Sequence, residues 1–417
     1  MFRAIAIDDF PPFGQLRIAF PIVPDKPKDL AEVHLFTGVN GTGKTRILCV
    51  MAALLGNIEP LQKRLTAKAS FSIGVADGPR SEPADKWPSM LRVSAPNSIN
   101  WTRRAQDETW LERIPAFAYS GTAYVADMPV SPMATLQPLT KQASLSFTKP
   151  PEQSTYLLQG ITNLKLQAAM DSLSQPPGAT TPSRATLLVT ALERTISEIT
   201  EMSFRFHVTP YPNISLQVHW GDTDLPFNLL PDGLRTIIGW LVNAIVMMDL
   251  ILQGKGDPMT TPAVFLLDEI ETNLHPAWQR RILTAFQKLF PESQIFVATH
   301  SPFVIASLNY GWIHRFALLK DGTARAEPPV PASEGDSYLT VIEDIMGLKE
   351  LYDPETEKLL ADFRAQRNAA YHGDEPARTK ALELAGLIGK RSEELEYMMG
   401  RELSQMDRQL HKAARPG

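Results

Sequence analysis

The sequence predicts an α/β fold built on a doubly covered parallel sheet, and two observations predict it. A short apolar strand at 33–36 runs through a glycine-rich loop into a helix at 46–55. Further on, a long apolar helix up to about 252, a buried strand (AVFLLDE, 263–269), a helix (276–290) and another buried strand (QIFVATH, 294–300) follow in turn. That alternation is the rhythm of a parallel sheet with helices on both faces.

The remaining elements attach to this frame. Residues 2–7 read as a strand, followed by a Pro-Pro-Phe-Gly turn at 11–14 and a second strand near 16–20. FSIGVADG, LRVSA, INWTRRA and PAFAYSG, between 71 and 125, are separated by Pro, Asn and Asp and read as a small antiparallel β layer. Residues 126–155 are rich in Pro, Ser and Thr and read as irregular, whereas 157–172 and 184–201 have helical periodicity. PNISLQVHW (212–220) alternates as a strand, 312–327 reads as a hairpin around Asp321-Gly322, and the chain is charged and helical from Ser337. The expected organisation is an N-terminal lobe (1–125), an inserted mostly helical segment (126–205), a C-terminal lobe (206–336) and a C-terminal helical region suited to docking a partner (337–417).

Composition bounds the function. The 417 residues are 44% hydrophobic and 21% charged, the balance of a globular protein with a core. A net charge of −5 argues against a surface coated in basic residues for nucleic acid, although a local basic patch is compatible with it. The single cysteine, Cys49, permits no internal disulfide, which fits a reducing cytoplasm, and it reads as a small buried residue. The N-terminus does not read as a signal peptide. No run is expected to reach the ~20 apolar residues of a membrane span, because Thr236 to Leu252 is interrupted by Asn243 and Asp249.

Gly38-Val39-Asn40-Gly41-Thr42-Gly43-Lys44-Thr45 fits the phosphate-loop pattern G-x-x-x-x-G-K-[ST]. Its glycines let backbone N–H groups approach phosphates, and the helix behind it, through Arg46, presents its positive end to them. Lys44 is expected to reach the β- and γ-phosphates of ATP, and the Thr45 hydroxyl to bind Mg²⁺. The competing reading is a glycine-rich turn ahead of a helix. A chance match somewhere in the chain has odds of roughly one or two in a hundred, and the strand–loop–helix context is the one in which the motif works.

The strand at 263–269 ends in two acids, at the edge where nucleotides bind in open α/β sheets. Asp268 is expected to hold Mg²⁺, and Glu269 to polarise the attacking water. The alternative is a pair of acids capping a following helix. His300, at the tip of the next buried strand, is expected to face the same crevice and to touch the γ-phosphate or the lytic water as a neutral imidazole. Leu230-Pro231-Asp232-Gly233 precedes the acidic strand and opens a long helix, and Asn273-Leu274-His275-Pro276 follows the acids.

The order phosphate loop, helix-opening motif, acidic pair, Asn-Leu-His-Pro turn and histidine resembles the SMC/RecF-like branch of ABC ATPases. The runs LLDEIETNLHP and VATHSPFVI are similar to those of bacterial single-head ATPases, including the ATPase subunits of Septu and retron-associated anti-phage systems and relatives of the OLD family. AFAYSG (116–121) is similar to the strand that carries a nucleotide-sensing glutamine in related heads. The motif resemblance covers residues 2–56 and 212–310. It implies an ABC-type P-loop ATPase head that binds ATP and Mg²⁺. It also implies a homodimer, or a higher even-numbered oligomer, in which Pro231, Asp232 and Gly233 of one copy reach the nucleotide of the other.

The role it implies is regulatory, controlling a separate effector such as a nuclease or toxin. A RecF-like DNA-clamp ATPase is the alternative, and a transporter subunit suits the LHP and ATHSP runs less well. Pro231 and Asp232 depart from the usual pattern, where a serine hydroxyl contacts the γ-phosphate. Losing that contact costs around 1 kcal/mol, so slow hydrolysis is expected. The tail lacks the acidic nuclease pattern of OLD proteins. Trp101, Arg103, Arg104 and Trp110 interleave aromatic and basic residues, which fits nucleic acid and fits a solvated sheet edge equally well. In the tail, Lys380, Lys390, Arg391 and Arg401 are balanced by glutamates, and Leu382, Leu384, Leu387 and Ile388 are expected to pack on a surface.

Overall fold

The computed structural model describes residues 1–64, 70–78, 81, 83–94, 98–103, 110–121, 130, 135–137, 140, 144–147, 151–174, 181–209, 214–332, 335, 337–348 and 350–413. The chain divides into two compact units, Met1–Val341 and Ile342–Gly417.

The first unit opens with an antiparallel hairpin, β1 (Ala4–Phe10) and β2 (Phe13–Ala19), followed by β3 (Glu32–Gly38) and helix α1 (Lys44–Leu54). β4 (Ser70–Ala76), β5 (Ser89–Ser94) and β6 (Ser98–Arg103) extend the hairpin into an antiparallel sheet of order β2-β1-β4-β5-β6. This is the expected layer with one correction. β7 (Ala116–Ser120), the AFAYS segment, belongs to the other sheet, where it pairs in parallel with β11 (Val264–Asp268).

Between those two strands come helices α2 (Pro151–Ser174) and α3 (Arg184–Thr200), the three strands β8 (Phe204–Thr209), β9 (Ser215–Trp220) and β10 (Thr223–Pro226), and helix α4 (Asp232–Leu252). β8, β9 and β10 form an antiparallel sheet in which only the middle strand was legible in the sequence. After β11 follow α5 (Pro276–Leu289), β12 (Gln294–Ala298), α6 (Pro302–Ala306), β13 (Trp312–Leu318), β14 (Ala324–Ala326) and β15 (Val330–Pro331). The main sheet runs β14-β13-β3-β12-β11-β7 and is parallel from β13 to β7; β14 and β15 pair antiparallel with β13.

Helix α1 lies in the core between the two sheets. Ile47 through Leu54 are all buried, and one hydrophobic cluster joins them to Ile5, Ile7, Phe71 and Val93 on one side and to Phe36, Val264, Leu266 and Phe296 on the other. Cys49 sits in this cluster, and burial pushes its thiol up to about 12, so it is inert packing. On the opposite face of the parallel sheet, Phe265 packs edge-on against Phe286 of α5, with ring centroids 4.9 Å apart. Pro276 and Pro302 open α5 and α6, where a missing N–H is harmless, behind the caps His275 and Ser301.

Helix α4 corrects the expectation about membrane spans, because by length and composition it could cross a bilayer. Within this unit, 78% of its apolar window is buried. Asn243 does not interrupt it, since the Tyr119 hydroxyl donates to its side-chain oxygen (2.8 Å) inside the core. Of the aromatic–basic pattern, Trp110 packs edge-on against Phe2 (5.1 Å); Arg104 and the side chains of Trp101 and Arg103 lie outside the described residues.

At the end of the parallel sheet away from the phosphate loop sits a buried polar cluster. His34 Nδ1 lies 3.1 Å from His314 Nε2, and His34 Nε2 lies 2.9 Å from Glu32. Gln294 donates to Glu32 (2.6 Å) and clasps the backbone of Phe2 with both ends of its amide. Burial holds both imidazoles below their usual range and outweighs the pull of Glu32 on His34. Burial raises Glu32, but hydrogen bonds from His34 and Arg3 overcome it and bring the carboxyl to about 2. For a histidine whose pKa is depressed on folding, the stability it contributes is present above the unfolded value and lost as pH falls. Melting temperature is therefore expected to fall as pH drops below 6.5, the ordinary histidine value. The fall should be shallower in His314→Gln; equal slopes for the two proteins would show that His314 stays out of the acid response.

The second unit consists of α7 (Pro354–Tyr371), α8 (Glu375–Gly389) and α9 (Glu393–Ala413), with Asp353 and Asp374 capping the first two. Its core is Leu360, Phe363, Ala381, Ala385, Ile388, Leu395, Met399 and Met406. Alanines form the inward row of α8, so Leu382 and Leu387 are exposed in the single chain, while Leu384 and Ile388 pack within this unit.

Candidate functional site

The glycine-rich loop joins β3 to α1 and turns through three left-handed or extended positive-φ glycines: Gly38 (142°), Gly41 (85°) and Gly43 (88°). Two of them are also packed tightly. A Cβ on Gly38 would meet the Phe316 carbonyl at 2.2 Å, and one on Gly43 would meet the Phe13 ring at 2.4 Å. The Thr42 hydroxyl closes the turn on the Val39 carbonyl (2.9 Å), and Asn40 is exposed at the tip. The Lys44 ammonium folds back onto the carbonyls of Gly38 (2.8 Å) and Val39 (3.1 Å), and burial lowers it to about 8. Arg46 turns to the Pro11 carbonyl and lies over the Phe10 ring.

The Thr45 hydroxyl donates to Asp268 Oδ1 at 2.9 Å, joining the loop to the tip of β11 across 223 residues of sequence. Asp268 is buried, and burial together with the neighbouring Glu269 lifts its carboxyl to about 6 against the hydrogen bond from Thr45. Glu269 is exposed and left-handed (φ 52°), with its N–H on the Ala298 carbonyl (2.8 Å). No helix starts at these acids; the next begins at Pro276, so they cap nothing. His300 stands at the end of β12, where burial and then Lys44 keep its imidazole below the usual range, hence neutral.

The parallel pairing of β3, β12 and β11 thus gathers Lys44, Thr45, Asp268, Glu269 and His300 at one sheet end. A cavity of about 240 Å³ opens there, lined by Thr45, Asp268, Glu269 and Ser120, and by Glu59, Lys63 and Arg64 from the turn after α1. Pro231, Asp232 and Gly233 are not in its lining. Pro231 caps α4, Asp232 pairs with Arg235, and Gly233 lies against the Asn273 carbonyl, which a Cβ would meet at 2.4 Å.

Sequence reading missed Lys63, Arg64, Ser120, Gly121 and Glu271. The adjacent bases after the loop helix were a usable signal. Glu271 lies inside the LLDEIETNLHP run, where sequence reading gives it no role; it is half-buried and accepts from the Thr299 hydroxyl (2.8 Å) and the His300 N–H (2.7 Å).

The donor set suits a divalent cation. A hydroxyl and a carboxylate meet at 2.9 Å, and Asp268, Glu269 and Glu271 crowd one another, so positive charge at Asp268 would relieve the penalty of burying it. Among the described residues no group of three or more His, Cys, Asp or Glu could hold a metal by itself. That fits Mg²⁺, which takes one or two protein oxygens and fills the rest with phosphate and water.

Comparison with known proteins places relatives beside this geometry. Residues 185–306 match a family model described as "AAA domain, putative AbiEii toxin, Type IV TA system". The chain is 26% identical over 184 residues to the "Retron Ec83 probable ATPase" of Escherichia coli, covering 44% of this chain and 33% of that protein. It is 22% identical over 170 residues to the "Septu protein PtuA" of Bacillus thuringiensis, covering 40% and 43%. The chain is similar to retron ATPases and to Septu proteins. It spans about a third of the length of the retron ATPases it matches. Among solved structures, the SMC head domain from Thermotoga maritima aligns with 78% of this chain and 98% of that one, at 15% identity and a TM-score of 0.41.

Proposed function

We propose that the chain is an ABC-type ATPase that binds ATP with Mg²⁺ at the phosphate loop and hydrolyses it with Glu269 as general base. The hydrogen bond from Thr45 to Asp268 carries this reading, because it joins the two halves of a phosphate-handling site. The backbone of Gly38 to Thr45 and the start of α1 would cradle the phosphates. Lys44 would leave the two carbonyls it now holds and neutralise the β- and γ-phosphates. Thr45 and Asp268 would hold Mg²⁺, which supplies charge neutralisation across the phosphate oxygens. Glu269, exposed at the cavity wall, would take the proton of the attacking water. His300, neutral, would donate a hydrogen bond to the γ-phosphate.

A second copy would complete the site with the N-terminus of α4, at Pro231, Asp232 and Gly233. The similarity to retron and Septu proteins supports a role in anti-phage defence, with this chain regulating a separate effector. The test is thermal. Mg²⁺-ATP is expected to raise the melting temperature of the wild type by linkage and to leave that of Lys44→Ala unmoved. An equal rise in both would remove Lys44 from the site.

A further inference from the structure

We propose that Glu271 is a positioning residue, which staples the loop carrying Glu269 to the strand end carrying His300 and so fixes the base against the sensor. The proposal rests on the ATPase reading above.

Both carboxylate oxygens are engaged. Oε1 accepts the backbone N–H of His300 itself (2.7 Å), and Oε2 accepts the Thr299 hydroxyl (2.8 Å). The Thr299 oxygen accepts in turn from the Ser301 N–H (3.0 Å). Gln279 of α5 closes the other side, donating to the carbonyls of Leu274 (2.9 Å) and Glu271 (3.3 Å) and accepting from the Ser301 hydroxyl (2.6 Å). Residues 299–301 are thereby tied to 271–274 at several points.

Taking a carboxylate out of water is costly unless its oxygens are satisfied, and here one is satisfied by the backbone of the residue that bears the imidazole and the other by its neighbour Thr299. A loop acid serving only solubility would make neither bond. The same loop reaches Gly233 through the Asn273 carbonyl. One segment therefore carries the base, bonds the histidine and lies against the opening of α4.

The experiment measures kcat and KM for Mg²⁺-ATP, with melting temperature, on the full chain: wild type, E271A, E271Q, H300A, E271A/H300A and E269Q. E271A is expected to lower kcat about 10–100-fold, as loss of an orienting partner does, with KM nearly unchanged. E271Q should recover most of the rate, because its amide oxygen still accepts from the His300 N–H. In the H300A background, E271A should cost clearly less than it does in the wild type, because only its hold on the Glu269 loop is then left to lose. Wild-type kcat in E271A overturns the proposal, and so does a full repeat of the loss on top of H300A, which would mark a merely structural role. Should E271A fail to fold, T299V carries the same test through the other oxygen. A wild type without turnover overturns the ATPase reading and this proposal together; a loss in E269Q beside full rate in E271A overturns the staple alone.

Discussion

Replacing Glu269 with glutamine is expected to lower ATP turnover by about 10²–10⁴-fold, the contribution of a positioned general base, while ATP binding is kept. Glutamine preserves the shape and the left-handed backbone turn but cannot accept the water's proton. None of the loop contacts of Lys44 or Thr45 involves Glu269, so affinity should hold. Asp268 is the informative contrast. Asp268→Asn removes the carboxylate that meets Thr45 and should weaken Mg²⁺-dependent binding as well as turnover. Steady-state kinetics with a nucleotide-binding assay separates the two effects, and normal turnover in Glu269→Gln would remove this residue from the chemistry.

Gly121→Ala is expected to cost about 10²-fold in turnover, the scale of a misplacement near 1 Å at a reacting group, with no residue of the phosphate loop changed. The glycine ends β7, and its N–H donates to the Asp268 carbonyl (2.9 Å). A Cβ there would stand 1.9 Å from the Glu269 carbonyl and 2.7 Å from Thr272 Cβ. The obstacle on one side is backbone, which cannot swing aside as a side chain can, so Glu269 must shift. Gly14→Ala is the control, since nothing lies within 4 Å of a Cβ at that position. Equal rates for both variants would show that the approach of Gly121 to Glu269 is not used.

What was legible in the sequence is what short-range pattern encodes. The phosphate loop, α4, β11 with its two acids and β12 with His300 are each a motif on one contiguous segment, and the structure sets the loop, the acids and His300 at one sheet end. What was not legible depends on long-range pairing. AFAYS has the composition of the strands just before it, and only its parallel register with β11 assigns it to the main sheet. β10 is four residues long and largely exposed, so no hydrophobic alternation announces it. Glu271 stands in the LLDEIETNLHP run, but its partners Thr299 and His300 arrive from another strand. In α8 the sequence did not say which face the unit's own core takes: alanines permit the close approach and turn Leu382 and Leu387 outward. Pro231, Asp232 and Gly233 open α4 outside the cavity lining, where a partner copy would be needed to use them.

The proposed clamping of two heads around a shared nucleotide is tested by the mass of the Glu269→Gln particle in solution with and without Mg²⁺-ATP. One chain has a mass of 46.3 kDa. ATP is expected at least to double the particle's mass, and the slowed variant to hold it there. A mass that ignores ATP, in the variant and in the wild type alike, would contradict the clamp and leave the nucleotide a structural ligand of a single head.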